Sequence, residues 1–355
     1  MARKIGVLTG GGDCPGLNAV IRGVVERCAI DGIEVFGFLG GWRGALTGEG
    51  SFLTLKDVEG IQTKGGTILE SSRTNVTAIP GGFEQVKKTM DDMGLEALVA
   101  IGGDDTLGVA NNLRKNLGVN VVGVPKTIDN DLNCTDFTFG FDTAANIAME
   151  AIDRLHTTAA SHARCFIAEC MGRSSGWITL YAGWAGDADL CLIPEQPTTM
   201  AAIMELVKNR YNSGKRYTMI AVAEDVRIDG LEQGDLGTDA FGHKLLVNSS
   251  LAKDLADAIE KNMRSDESLD DKRKYFECRS VVLGHLQRGG APSNFDRILG
   301  SRMGVAAGEM VVKGEFGNMV ALQGTKIVSA DLDMAVTVRK DVPADIYEAA
   351  KIYFK

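Results

Sequence analysis

Proline is scarce, with 7 residues in 355, and aromatic residues make up only 6%. The four histidines are scattered, with no HExxH string and no cluster beside cysteines, so a zinc centre is not expected. The seven cysteines, Cys14, Cys28, Cys134, Cys165, Cys170, Cys191 and Cys278, are odd in number and contain no CxxC pair. They read as thiols of a reducing, cytoplasmic compartment rather than a disulfide framework. No apolar run approaches the ~20 residues a membrane span needs, and the start, MARKIGVLTGGG, lacks a long apolar segment. Positive charge is in deficit: 38 Lys and Arg against 47 Asp and Glu leave a net −9, which argues against nucleic acid as a partner. An anionic ligand therefore needs a local basic pocket working against the global field.

What is abundant is glycine, 43 residues. Apolar β-type runs repeatedly end in glycine or polar clusters and open into helical patterns. Lys4–Thr9 reads as a strand, followed by GGGDCPG and a helix over Leu17–Ile30. Ala97–Ile101 ends in GGDDT and enters a helix near Leu107; Val121–Val124 ends in PKTIDND. Ala163–Glu169, Met219–Ala223 and Arg279–Leu283 end in CMGRSSGW, EDV and GHLQRGG. Short continuous apolar strands alternating with amphipathic helices predict an α/β fold: two similar three-layer domains with mainly parallel sheets, divided near Gly140. In such folds ligands gather beyond the carboxyl ends of the strands, where every distinctive polar cluster here falls. Lys261–Lys274 reads as a solvated helix-loop stretch.

Gly10, Gly11 and Gly12 form a strand-to-helix turn that lets a backbone approach an anion. It is neither familiar nucleotide motif: Pro15 stands where GxGxxG needs glycine, and GxxxxGK[ST] is absent. A structural turn remains an alternative. Asp104 and Asp105 follow Gly102–Gly103, while Asp129 and Asp131 follow Lys126–Thr127. Four like charges at two strand ends fit poorly as packing; the alternative for each pair is helix capping. A Mg²⁺ ion bridging a polyphosphate would neutralise them, and a carboxylate is a suitable base for a hydroxyl attacking phosphorus. Arg73, Arg164, Arg173, Arg279 and Arg288 lie near these ends and suggest bound phosphates, though any one of them alone reads as an ion pair. His285 is a possible phosphate donor or a packed histidine.

LTGGGDCPGLNAVIRG, IGGDDTLG, PKTIDNDL, SHARCFIAECMGRSSGW, LIPE, VLGHLQRGG and DRILGSRMG together resemble the phosphofructokinases, from about Lys4 to Gly308. The resemblance implies two interleaved domains: 1–140 with about 253–310 for the phosphoryl donor, and 141–252 with about 311–355 for fructose 6-phosphate. It implies Mg²⁺-dependent phosphorylation of the sugar's 1-hydroxyl. By the same likeness Asp129 is the base, with Asp131, Thr127, Lys126 and Arg173 around the reaction. Gly11, Arg73, Gly103, Asp104, Asp105 and Lys126 hold the donor, and Asp104 the metal. Thr127, Asp129, Met171, Gly172, Arg173, Glu224, His285 and Arg288 meet the sugar phosphate. Arg164 and Arg279 would be supplied across a subunit interface, which makes a homo-oligomer, dimer or tetramer, with shared active sites.

Two positions bear on the donor. ATP users resemble GGDG, where this chain has Asp105, whose bulk and charge oppose an α-phosphate. Lys126, where many ATP users have glycine, suits a compact donor. The pair resembles the pyrophosphate-dependent branch; ATP dependence and a non-catalytic sugar-phosphate-binding subunit are the alternatives. Regulated bacterial relatives use effector-binding arginines. Arg22 matches one, but Glu26 and His156 replace two others, so an effector response is not expected.

Overall fold

The computed structural model describes residues 3–354 except 235–236, 239–241, 243 and 247–248. The chain begins with β1 (Lys4–Thr9), α1 (Leu17–Ile30), β2 (Glu34–Phe38), α2 (Trp42–Thr47), β3 (Gly50–Leu53), α3 (Gly82–Met93), β4 (Ala97–Gly102), α4 (Asp104–Leu117) and β5 (Val121–Pro125). There follow α5 (Phe141–His162), β6 (Cys165–Cys170), α6 (Trp177–Ala185), β7 (Leu190–Leu192), β8 (Thr198–Thr199), α7 (Met200–Asn212), β9 (Thr218–Ala223), β10 (Ile228–Asp229), α8 (Leu251–Ser265) and β11 (Cys278–Val282). Then come α9 (Asn294–Lys313), β12 (Asn318–Gln323), β13 (Lys326–Asp331), α10 (Leu332–Thr337) and α11 (Ala344–Lys351).

These elements form two compact units, Met1–Thr143 with Arg288–Lys340 and Ala144–Gln287 with Asp341–Lys355. The first division falls close to the expected Gly140. The second does not: 253–287 belongs to the second unit and 311–340 to the first. The physical reason is that α8 packs Leu255 and Ile259 into the core beneath β6 and β9, whereas β12 pairs with β5.

In the first unit the sheet runs β13-β12-β5-β4-β1-β2-β3. Its interior strands pair in parallel, and antiparallel β3 and β13 form the edges. Runs such as KIGVLT and ALVAIG are buried on both faces, which is why they lack polar alternation. Leu8, Phe38, Leu98, Leu107 and Leu113 are fully buried in one core, each worth about 2–3 kcal/mol of hydrophobic transfer. α1 and α9 cross at close range. A Cβ on Gly304 would lie 2.3 Å from the Val20 carbonyl, and one on Gly23 2.7 Å from that of Ser301. The glycines of DRILGSRMG thus serve helix packing.

The second unit carries a wholly parallel sheet, β11-β6-β9-β7. Its core joins Ile167, Ile220 and Val222 to Val207, Leu255 and Ile259. In both sheets the polar clusters picked out from the sequence follow the carboxyl ends of parallel strands, so within each unit they share one edge. Among the described residues no helix is long and apolar enough to cross a membrane. All seven cysteines are free, and six are buried.

Candidate active site

The glycine turn after β1 is pinned from three sides. The Gly10 amide donates to the Ile101 carbonyl at 3.0 Å, and that of Gly11 to Ser72 at 3.3 Å. Ser71 Oγ donates to the Gly11 carbonyl. Gly11 has φ 78°, a left-handed backbone that glycine adopts without steric cost. Lys126 Nζ donates to the Gly12 carbonyl at 2.7 Å and lies 3.3 Å from where a Gly11 Cβ would stand. Arg288 Nη1 donates to the Asp13 carbonyl at 3.1 Å. Two cations thus border this turn. Arg73, on the same loop as Ser71 and Ser72, is exposed.

Helix α4 begins at Asp104, three residues before Leu107, with Gly103 as its N-cap. The two aspartates are therefore not caps; they occupy the first helical turn, where the helix dipole favours negative charge. Asp104 is exposed and Asp105 half-buried. Among the described residues no group of three acidic, histidine or cysteine side chains converges on one point. A single exposed carboxylate suits Mg²⁺, which takes few protein ligands and completes its shell with phosphate oxygens and water.

The loop after β5 is buried: Lys126 is 4% exposed, Asp129 5% and Asn130 0%. Asp129's amide donates to Thr127 Oγ1 at 3.0 Å, and Thr138 Oγ1 donates to the Thr127 carbonyl at 2.7 Å. Asn130, between Asp129 and Asp131, has φ 51°. Its Oδ1 accepts from the Thr138 amide at 3.0 Å and from Lys340 Nζ at 3.0 Å. Behind the glycine turn, Cys14 Sγ donates to the Phe139 carbonyl, and Thr143 ties this segment to buried Asp296 through its amide and hydroxyl.

In the second unit, Met171, Gly172 and Arg173 follow β6. Glu224 Oε1, just beyond β9, accepts from the amides of Gly172 at 3.1 Å and Arg173 at 2.8 Å. Arg173 has φ 49° and is held in that strained turn by this carboxylate. Ser174 Oγ donates to Asp225 at 2.8 Å, and the Gly176 amide to Glu195 at 3.0 Å. His285 lies in the 3-10 turn Gly284–Arg288 after β11 and is exposed, which removes the packed-histidine reading.

Arg164 and Arg279 are not brought to that edge. Arg164 precedes β6 and Arg279 opens β11, so a strand of six residues, about 20 Å, separates Arg164 from Met171. Both arginines converge on Glu277, Arg279 at 3.3 Å. Glu277, Lys340, Asp296 and Glu195 have structural roles that spacing did not expose, because each acts on residues distant in sequence.

The phosphofructokinase family model matches residues 4–311, and the chain belongs to this family. A pyrophosphate–fructose 6-phosphate 1-phosphotransferase of Amycolatopsis methanolica is 50% identical over 99% of both chains. An ATP-dependent 6-phosphofructokinase of Streptomyces coelicolor is 44% identical over 98% of this chain and 99% of its own. Among solved structures, Pichia pastoris phosphofructokinase in the T-state aligns over 100% of this chain and 37% of that one, with a TM-score of 0.82 and 28% identity.

Proposed function

We propose that this phosphofructokinase transfers a phosphoryl group reversibly from pyrophosphate to the 1-hydroxyl of fructose 6-phosphate. The observation that carries the choice of donor is the seating of Lys126 on the Gly12 carbonyl, with Asp105 in the first turn of α4. A fixed ammonium beside the glycine turn stabilises charge on a compact donor. The Asp105 carboxylate repels an α-phosphate by about 1 kcal/mol or more at ~4 Å, depending on the dielectric. The 50% identical relative carries a pyrophosphate-dependent name.

The donor contacts are Gly11, Arg73, Gly103, Asp104, Asp105 and Lys126, and Arg288 is a sugar-phosphate contact by the family likeness. Asp104 would hold Mg²⁺, which supplies charge neutralisation on the diphosphate when bound. Asp129 takes the proton of the 1-hydroxyl as that oxygen bonds to phosphorus and the bond to the leaving phosphate breaks. Thr127 and Asp131 flank it. Within the second unit, Met171, Gly172, Arg173 and His285 match the family's sugar-phosphate contacts, with Glu224 bracing the Gly172–Arg173 turn. Arg164 and Arg279, at the far strand ends, serve the site of a neighbouring copy, which makes the active form a homo-oligomer. A cytoplasmic location fits a glycolytic role.

The test is purified protein with fructose 6-phosphate and Mg²⁺, offered pyrophosphate or ATP separately. Far higher kcat/KM with pyrophosphate is expected. Preference for ATP, the donor named for the 44% identical relative, overturns the donor assignment. Inactivity with both donors favours a non-catalytic sugar-phosphate-binding subunit.

A further inference from the structure

We infer that Lys340 is a positioning residue for the catalytic loop: its ammonium holds Asn130 in the backbone conformation that presents Asp129 and Asp131. The inference rests on the assignment of Asp129 as base.

Lys340 donates three hydrogen bonds from Nζ, to Asn130 Oδ1 at 3.0 Å and to the carbonyls of Thr135 and Asp136 at 2.9 Å each. Those are all the donors an ammonium has. Its own amide donates to the Asp131 carbonyl at 2.8 Å, and Arg339 beside it forms an antiparallel bridge with Leu132. One short tail segment therefore grips the loop at 130, 131, 132, 135 and 136. Asn130 needs such a grip. It is fully buried with φ 51°, a left-handed backbone that asparagine adopts more readily than other non-glycine residues when its side chain is hydrogen-bonded locally. Without the ammonium, the Thr138 amide and hydroxyl alone hold its Oδ1. If Asn130 relaxes to an ordinary backbone conformation, the residues on either side turn with it. Those residues are the base and its neighbour.

The charged groups facing Lys340 are the carboxylates of Asp131 and Asp136, which favour the ammonium. Burial opposes them and is larger, pushing Lys340 down to about 8 from 10.5. The folded value is the lower one, so the unfolded chain binds more protons between those two pH values. Stability therefore rises with pH across this window. Positioning works the other way: the loop loses its charged anchor over the same window, so kcat falls. The opposite signs separate positioning from mere support.

The experiment compares wild type, Lys340→Met, Lys340→Arg and Asp129→Ser, reading kcat, KM for fructose 6-phosphate and melting temperature from pH 6 to 10. Lys340→Met is expected to lose about 10–100-fold in kcat, the scale of a displaced catalytic group. KM is expected to stay within about threefold, because the loss falls on the reacting geometry. The fall in kcat above pH about 8 is expected to disappear in this variant. Lys340→Arg, which keeps its charge, is expected to retain measurable kcat and carry that fall to higher pH. Wild-type kcat in Lys340→Met overturns the inference, as does a loss of melting temperature with the alkaline fall unmoved. If Lys340→Met does not fold, the displaced fall in Lys340→Arg decides: displaced, it supports; unmoved, it overturns. Asp129→Ser separates the two levels. If it keeps near-normal kcat, the base assignment falls and the positioning role falls with it. If it is inactive while Lys340→Met is normal, only the positioning role falls.

Discussion

Lys126 reaches from the end of β5 to the Gly12 carbonyl, 2.7 Å away and 114 residues back along the chain. It is 4% exposed, so its charge is held at the glycine turn before any donor arrives. Removing it is expected to lower kcat/KM for pyrophosphate more than any change at Asp105. A preorganised contact to transition-state charge is worth about 2.7–4 kcal/mol, or about 100–1,000-fold. Asp105→Gly is expected to raise ATP use, since it removes bulk and charge from the first turn of α4. If both side chains meet the same phosphate, their effects are expected not to add. Steady-state kinetics of both single variants and the double variant with each donor provide the check. No gain of ATP activity in either Asp105 variant defeats the exclusion argument.

Arg164 and Arg279 sit at the opposite strand ends from Met171–Arg173. If they complete a neighbour's site, Arg164→Ala and Asp129→Ser are each inactive alone. A hybrid of the two then contains sites with both residues intact. Mixing the variants under conditions of subunit exchange is expected to restore a fraction of wild-type activity. Continued inactivity, with exchange demonstrated by mass labelling, argues for sites contained within one copy.

Arg22 donates to Glu26 at 2.7 Å and to Gln62, so its charge is balanced within its own helix. His156 bonds the Gly186 carbonyl at 2.6 Å and the Tyr217 hydroxyl at 3.1 Å. The cleft beside it, about 230 Å³, is lined by Asp187 and Asp189 together with Arg210, Lys215 and Arg216, and Asp189 already pairs with Arg210 at 2.7 Å. Saturation by fructose 6-phosphate is therefore expected to be hyperbolic and unmoved by ADP or phosphoenolpyruvate. A large shift in half-saturation with either compound contradicts this.

Much of this organisation was legible in sequence because strands buried on both faces announce themselves. Lys4–Thr9 and the helix Leu17–Ile30 fall where apolar runs and glycines put them. The division after β5 was also visible, as a glycine near 140. The later boundary was misplaced because the apolar stripe of α8 shows that the helix packs on something, not on which sheet. Asp104 and Asp105 looked like possible caps, since capping and first-turn aspartates share one local pattern. Lys340 lies 210 residues from Asn130, and no local spacing links an isolated lysine to a loop that far away.

Asp296 gives a stability prediction with a definite sign. It is fully buried, and its Oδ2 accepts from the Thr143 amide at 2.8 Å and hydroxyl at 2.5 Å. Burial pushes its carboxyl up to about 6, while the bonds from Thr143 and the Gly140 amide oppose that rise and Asp142 adds to it. The folded value exceeds the unfolded 3.8, so the folded state binds the extra proton. The resulting stability is complete below pH about 4 and is lost as pH rises through about 6. The rise from 3.8 to about 6 corresponds to about 3 kcal/mol. Asp296→Asn lacks this titration, so its stability relative to wild type is expected to climb by a similar amount between pH 4 and 7. Urea unfolding across that range measures it; parallel curves for the two proteins refute it.

The place of β12 in the first sheet bears on how the protein is born. A chain leaving the ribosome completes β5 at Pro125 but β12 only at Gln323. At about 5–20 residues per second, that interval lasts on the order of ten to forty seconds. Throughout it, the outer edge of the VVGVP strand has no partner, although the parallel pairing with β12 begins at Val122. An unpartnered apolar edge is a template for joining another nascent chain. The strand that leads into the proposed base Asp129 is thus also a segment that needs shelter during synthesis.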